Sequence, residues 1–205
     1  MSEPRIGRVV AAAVHQALAD CLPLRLEHYE TWIRPWDLRG GRVGVAPFAA
    51  ALSFLRREDD AYPRVVERAG RYAAEWTFAA TPAMGRAWAR RLPGRWRLRW
   101  VLRTARDVVR DTAATSRATV SVARGRGRLD ITGSVFCDVR SPGPAPLCGF
   151  YATLISRLAE LVDLDVRVTN ETCRATGSAT CALLVARAAA GDAAAGRPPG
   201  VETGA

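Results

Sequence analysis

A change of hydrophobic period near Ala113 limits the possible folds most strongly. Before it, apolar residues recur at helical spacing; after it, they alternate on every second residue. Helices followed by strands point to the α+β class, with N-terminal helices packed on one face of an antiparallel sheet. The first half predicts helices over 6–18, 46–57, 62–80, 82–91 and 94–113. Pro47, Pro63 and Pro82 fall in first turns, where proline is tolerated. From Leu24 to Gly44 no period is legible. The second half predicts strands over 118–123 and 129–139, joined by a turn over 124–128, then a helix over 148–161. A closing hairpin is flanked by Val166, Val168, Leu183 and Val185. The expected order is helices-β-β-α-β-β, with about four strands.

A chain of 205 residues, 49% hydrophobic, is expected to form one domain over 1–186 with a disordered Ala/Gly/Pro tail over 187–205. No apolar window approaches the roughly 20 residues that cross a bilayer. The stretch from Val9 to Ala19, broken by His15 and Gln16, is not a secretory signal, so a cytoplasmic protein is expected. In a reducing compartment, clustered cysteines are expected as metal ligands or core residues rather than as disulfides.

The net charge is +10, and all 30 basic residues are arginine. This favours association with anions and says nothing about fold. The charge is most regular over 94–113, where Arg95, Arg99, Arg103, Arg106 and Arg110 fall within an arc of about 80° on a helical wheel. Leu98, Val101, Leu102, Ala105, Val108 and Val109 take the opposite side, with Trp96 and Trp100 between. An acidic protein partner or an anionic ligand is the expected contact of the Arg95–Arg110 helix. Nucleic acid is not, because no recognised binding motif accompanies the charge.

Four of the five cysteines lie between 137 and 181. Cys173 and Cys181 stand symmetrically about Gly177, so a hairpin folded there makes them face one another. Opposed Cβ atoms lie roughly 4.5–5.5 Å apart, which suits a shared metal ion or a disulfide. Cys148 opens a predicted helix, where the dipole favours a thiolate. Glu171 lies two residues before Cys173. Three sulfurs and a carboxylate make a tetrahedral zinc set; the other reading is a group of small buried core residues.

The chain resembles the 4-vinyl reductase domain family, related in fold to vesicle-tethering TRAPP subunits and to the sensor domains of phenol- and xylene-responsive activators. The resemblance is carried by Gly133-Ser134-Val135-Phe136-Cys137, by Pro146-Leu147-Cys148-Gly149-Phe150-Tyr151, and by Val168-Thr169-Asn170-Glu171-Thr172-Cys173 with Cys181. It implies a zinc site at Cys148, Glu171, Cys173 and Cys181. The family glutamate stands one residue earlier, where this chain has Asn170. Either the strand is bulged or another donor completes the set, and Cys137 is the obvious one.

The resemblance further implies a pocket for a small apolar or aromatic ligand between helices and sheet, which Trp96, Trp100, Phe136, Phe150 and Tyr151 are placed to line, and a homodimer. It also raises a tetrapyrrole as ligand, through an accessory or enzymatic role in bacteriochlorophyll metabolism. His15 and His28 are the only imidazoles available to a haem iron. No Gly-rich nucleotide fingerprint follows a strand, which disfavours enzymatic reduction. No serine, histidine and carboxylate grouping is legible either. The leading expectation is a non-enzymatic sensor or carrier with a structural zinc, and the third a ligand-free interaction scaffold.

Overall fold

A computed structural model describes residues 4–41, 43–58 and 60–188. The expected tail therefore lies, beyond residue 188, outside the described residues.

Helix α1 spans Arg8–Cys21, α2 Leu26–Tyr29, α3 Pro35–Gly40, α4 Val45–Leu55, α5 Ala61–Ala80, α6 Ala83–Arg91 and α7 Gly94–Thr112. Strands β1 (Arg117–Ala123) and β2 (Arg126–Thr132) follow, then α8 (Gly149–Glu160), β3 (Val166–Thr172) and β4 (Cys181–Arg187). The four strands form one antiparallel sheet in the order β1-β2-β4-β3. This is the expected α+β architecture. No single described helix is long and apolar enough to cross a membrane.

Alternation sets which sheet face is covered. Leu129, Ile131, Leu183 and Val185 are buried, while Thr119, Ser121, Leu184 and Thr169 are exposed. On the covered face, α7 buries Leu98, Val101, Leu102, Ala105, Val108 and Val109, the stripe opposite its arginines. Helix α8 lies beside it and is in turn covered by α5. Gly70 makes that contact close: a Cβ there would stand 2.5 Å from the Phe150 carbonyl oxygen and 3.1 Å from the Leu154 nitrogen. Helix α1 packs on α5, and its start is strapped to α7 by the Gly7 amide donating to the Thr112 carbonyl at 3.0 Å.

Three departures from the sequence reading stand out, and the second bears on the site. The stretch without a legible period holds α2 and α3, each of only a turn or so; Tyr29 at the end of α2 and Ile33 in the link between the two helices are buried. Strand β2 stops at Thr132 instead of running to Val139, because Gly133 turns the chain in the left-handed region at φ 68°. A 3₁₀ turn over Val135–Cys137 follows, and it directs Cys137 into the core. The β1–β2 connection is likewise tighter than expected, a two-residue turn at Arg124 and Gly125 rather than a five-residue one.

Candidate metal centre

The turn after β2 and the ends of three other elements bring four thiols together. Cys137 comes from that turn, Cys148 from the N-cap of α8, Cys173 from the end of β3 and Cys181 from the start of β4. All four are buried, and their sulfurs lie within 4.8 Å of one another. Cys148 Sγ is 3.4 Å from Cys137 Sγ and 3.3 Å from Cys173 Sγ, and Cys173 Sγ is 3.7 Å from Cys137 Sγ and 4.0 Å from Cys181 Sγ. These separations are too long for disulfide bonds of about 2.05 Å. They match a single tetrahedral ion: four sulfurs each about 2.3 Å from zinc stand about 3.8 Å apart. An iron–sulfur cluster would interpose several atoms and hold its thiolates farther apart. The four cysteines could therefore hold one metal ion.

A β-bulge aligns the hairpin pair. Strand β3 pairs Asn170 with Leu183, then Thr172 with Ala182, so Glu171 is an extra residue. The shift brings Cys173 level with Cys181. It also leaves Glu171 exposed, with its carboxylate accepting from Arg128, which also donates to Asp130 at 2.8 Å. Of the four residues expected as ligands, the structure thus unites Cys148, Cys173 and Cys181, and it brings Cys137 rather than Glu171 to them.

Polarity around the sulfurs favours two thiolates. The Arg174 amide donates to Cys181 Sγ at 3.3 Å. Hydrogen bonding from Cys137 holds Cys181 and Cys173 below the ordinary thiol range. Their thiol partners go the other way: Cys137 and Cys148 are pushed up, chiefly by hydrogen bonding within the quartet and by burial. The scaffold around the quartet is also polar. Arg56, just after α4, donates to the carbonyls of Phe136 and Asp138 at 2.9 and 3.1 Å, on either side of Cys137. Tyr62 donates to the Phe136 carbonyl at 3.1 Å. Arg174 and Asp138, the residues that follow Cys173 and Cys137, pair at 3.1 Å. Arg56 carried no sequence signal, since it reads as a surface arginine ending an apolar helix.

The five expected ligand-lining aromatics are not gathered around one space. Phe136, Phe150 and Tyr151 are fully buried against one another, with Phe136 stacked on Phe150 at 4.4 Å and Tyr151 edge-on to both. Trp100 is half-buried edge-on to Phe78 at 6.0 Å, and Trp96 is 44% exposed. Packing of rings within the core is what separates them. A cleft of about 590 Å³ opens instead between α1, α5 and α7. Val9, Val10, Ala80 and Val108 give it apolar surface, and Thr77, Thr104, Asp107 and Asp111 give it polar edges. Neither histidine lines that cleft. His15 bonds Glu30 at 2.8 Å, and His28 lies among the rings of Tyr29, Trp32 and Phe54.

No family model and no curated protein matches the chain. Solved structures do. A crystal structure of an H-NOX protein from Shewanella oneidensis in the Fe(II)NO ligation state aligns with a TM-score of 0.57 at 13% identity, over 90% of this chain and 100% of that one. An NMR structure of an H-NOX domain from the same organism in the Fe(II)CO state gives 0.56 at 13%, over 89% and 98%. The phenol-responsive sensory domain of the transcription activator PoxR, solved with phenol, aligns at 0.46 and 15% over 70% of this chain and 74% of that one, too slight a likeness to argue from. At these identities the match shows a fold shared with H-NOX domains and nothing finer. The 4-vinyl reductase resemblance rests on its motifs alone.

Proposed function

We propose that this chain is a small-molecule-binding domain of sensor or carrier type, held together by one zinc ion on Cys137, Cys148, Cys173 and Cys181. The observation that carries the metal reading is the quartet itself: four buried sulfurs at mutual distances suited to one tetrahedral ion. Four protein ligands close the coordination sphere, so the ion is structural and has no open position for water. Its role is to pin the turn after β2 and the start of α8 to the β3–β4 hairpin. Ligand recognition falls to the α1–α5–α7 cleft, whose volume and mixed lining suit a small, largely apolar molecule.

Native mass spectrometry with elemental analysis tests the metal reading, with one zinc per chain expected; a metal-free folded protein would refute it. The same spectra report whether the chain is a homodimer. The ligand reading is tested by titrating phenol and, separately, a porphyrin while following tryptophan fluorescence. Saturable binding that is lost in Ala80→Trp, with zinc retained, supports the cleft. A saturable response to neither probe would sink it.

A further inference from the structure

Four arginines with no acidic partner among the described residues converge where the start of α7 meets one end of the sheet. Arg95, Arg99 and Arg124 line a surface cleft of about 400 Å³ together with Trp96, Val122 and Gly125. The Arg187 guanidinium, from the end of β4, lies against Gly94, with Nη1 3.2 Å from the place a Cβ would take there. Among the described residues, none of the four makes an ion pair. Like charges so gathered repel one another, and the positive end of the α7 dipole adds to the same field.

The cations are also positioned. The guanidiniums of Arg95 and Arg99 lie over the Trp96 ring, 5.5 and 5.9 Å from its centre, which restricts where they point. Arg124 holds φ 49° at the first position of a two-residue hairpin turn, where Asn or Gly sits without strain. An arginine kept in a strained conformation beside two others points to a use for its charge.

We propose that this cleft binds a small organic phosphate, with phosphoryl oxygens on Arg95, Arg99 and Arg124 and an apolar body against Trp96 and Val122. A single carboxylate would balance one cation of three, whereas a phosphate monoester carries about −1.5 to −2 charges near neutral pH and a pyrophosphoryl group more. Guanidinium forks meet phosphoryl oxygens two at a time. The volume falls within the range of about 300–1,000 Å³ usual for small-ligand sites. A track for an extended polyanion would need open charge along all of α7, and Arg106 is already paired with Asp107 at 2.8 Å. The cleft shares no residue with the cysteine quartet or with the α1–α5–α7 cleft, so it stands independently of the function proposed above.

Calorimetric titration of the metal-loaded protein with inorganic pyrophosphate and with ATP, at physiological salt, tests the proposal. Each is expected to bind saturably at one site. Arg99→Gln with Arg124→Asn should weaken both by about tenfold or more; Asn suits the turn, so the hairpin is retained. Arg103→Gln with Arg110→Gln removes the same charge outside the cleft and should change affinity by less than about threefold. Equal losses in the two pairs, or no saturable heat with either probe, overturn the proposal. So does binding confined to single-stranded oligonucleotides or to anionic phospholipid vesicles. ATP binding no tighter than pyrophosphate overturns the part given to Trp96 and Val122.

Discussion

The guanidinium of Arg56 donates to the carbonyl of Phe136 at 2.9 Å, one residue ahead of Cys137. It bonds the Asp138 carbonyl at 3.1 Å as well, so one side chain from the end of α4 fixes the turn that carries a sulfur. Replacing it by Met keeps the bulk and removes the donors. We expect Arg56→Met to cost about 2 kcal/mol of stability and to weaken zinc binding about 10- to 100-fold. Thermal unfolding and competition with a chromophoric chelator measure the two effects. Unchanged affinity would show that the turn holds its shape unaided.

Cys137 and Glu171 make opposite predictions. Cys137→Ser should lose stoichiometric zinc and several degrees of thermal stability, because an incomplete shell leaves buried thiolates uncompensated. Glu171→Gln should keep one zinc per chain and cost less than about 1 kcal/mol, since it loses only an exposed ion pair with Arg128. Zinc lost from the glutamine variant would reassign the fourth ligand.

Zinc affinity should rise with pH, because the quartet still holds protons on Cys137 and Cys148, whose values are pushed up, while Cys173 and Cys181 are held low. Loading the ion expels those two protons. The apparent affinity should then tighten by about a hundredfold per pH unit between roughly pH 6.5 and 7.5, once corrected for the competing chelator. A flat profile would mean that all four sulfurs are already thiolates.

Gly70→Ala tests the contact between α5 and α8. The added carbon would stand 2.5 Å from the Phe150 carbonyl oxygen and 3.0 Å from the Thr153 Cβ, so the helices must separate. Overpacking costs about 1–3 kcal/mol and outweighs the gain of about 1 kcal/mol in helix propensity. A melting temperature raised by the substitution would show that the helices can part without loss.

The architecture was legible where periodicity was strong. Helix α7 buries the six residues opposite its arginines because its stripe, from Leu98 to Val109, repeats over about three turns. The site was legible in part: Cys148, Cys173 and Cys181 follow from a helix start and a symmetric hairpin. Alternation carries Cys137 on a strand that in fact ends five residues earlier, and only Gly133, a turn signal inside the alternating run, marks the break. The bulge at Glu171 is not fixed by the sequence because alternation reports faces and not register. Composition cannot distinguish a ring that lines a space from one that fills it, so the separation of Trp96 and Trp100 from the buried Phe136, Phe150 and Tyr151 is not legible in the sequence.

Strand β4 comes last of the four in sequence yet lies between β2 and β3. The sheet is two local hairpins, each able to close early, joined along the β2–β4 seam. Cys137 leaves the first hairpin and Cys173 and Cys181 belong to the second, so an ion on the quartet acts as a rivet across that junction. The slow, long-range event in assembly is then the docking of the hairpins, and the metal should act on how long they stay docked more than on how fast they meet.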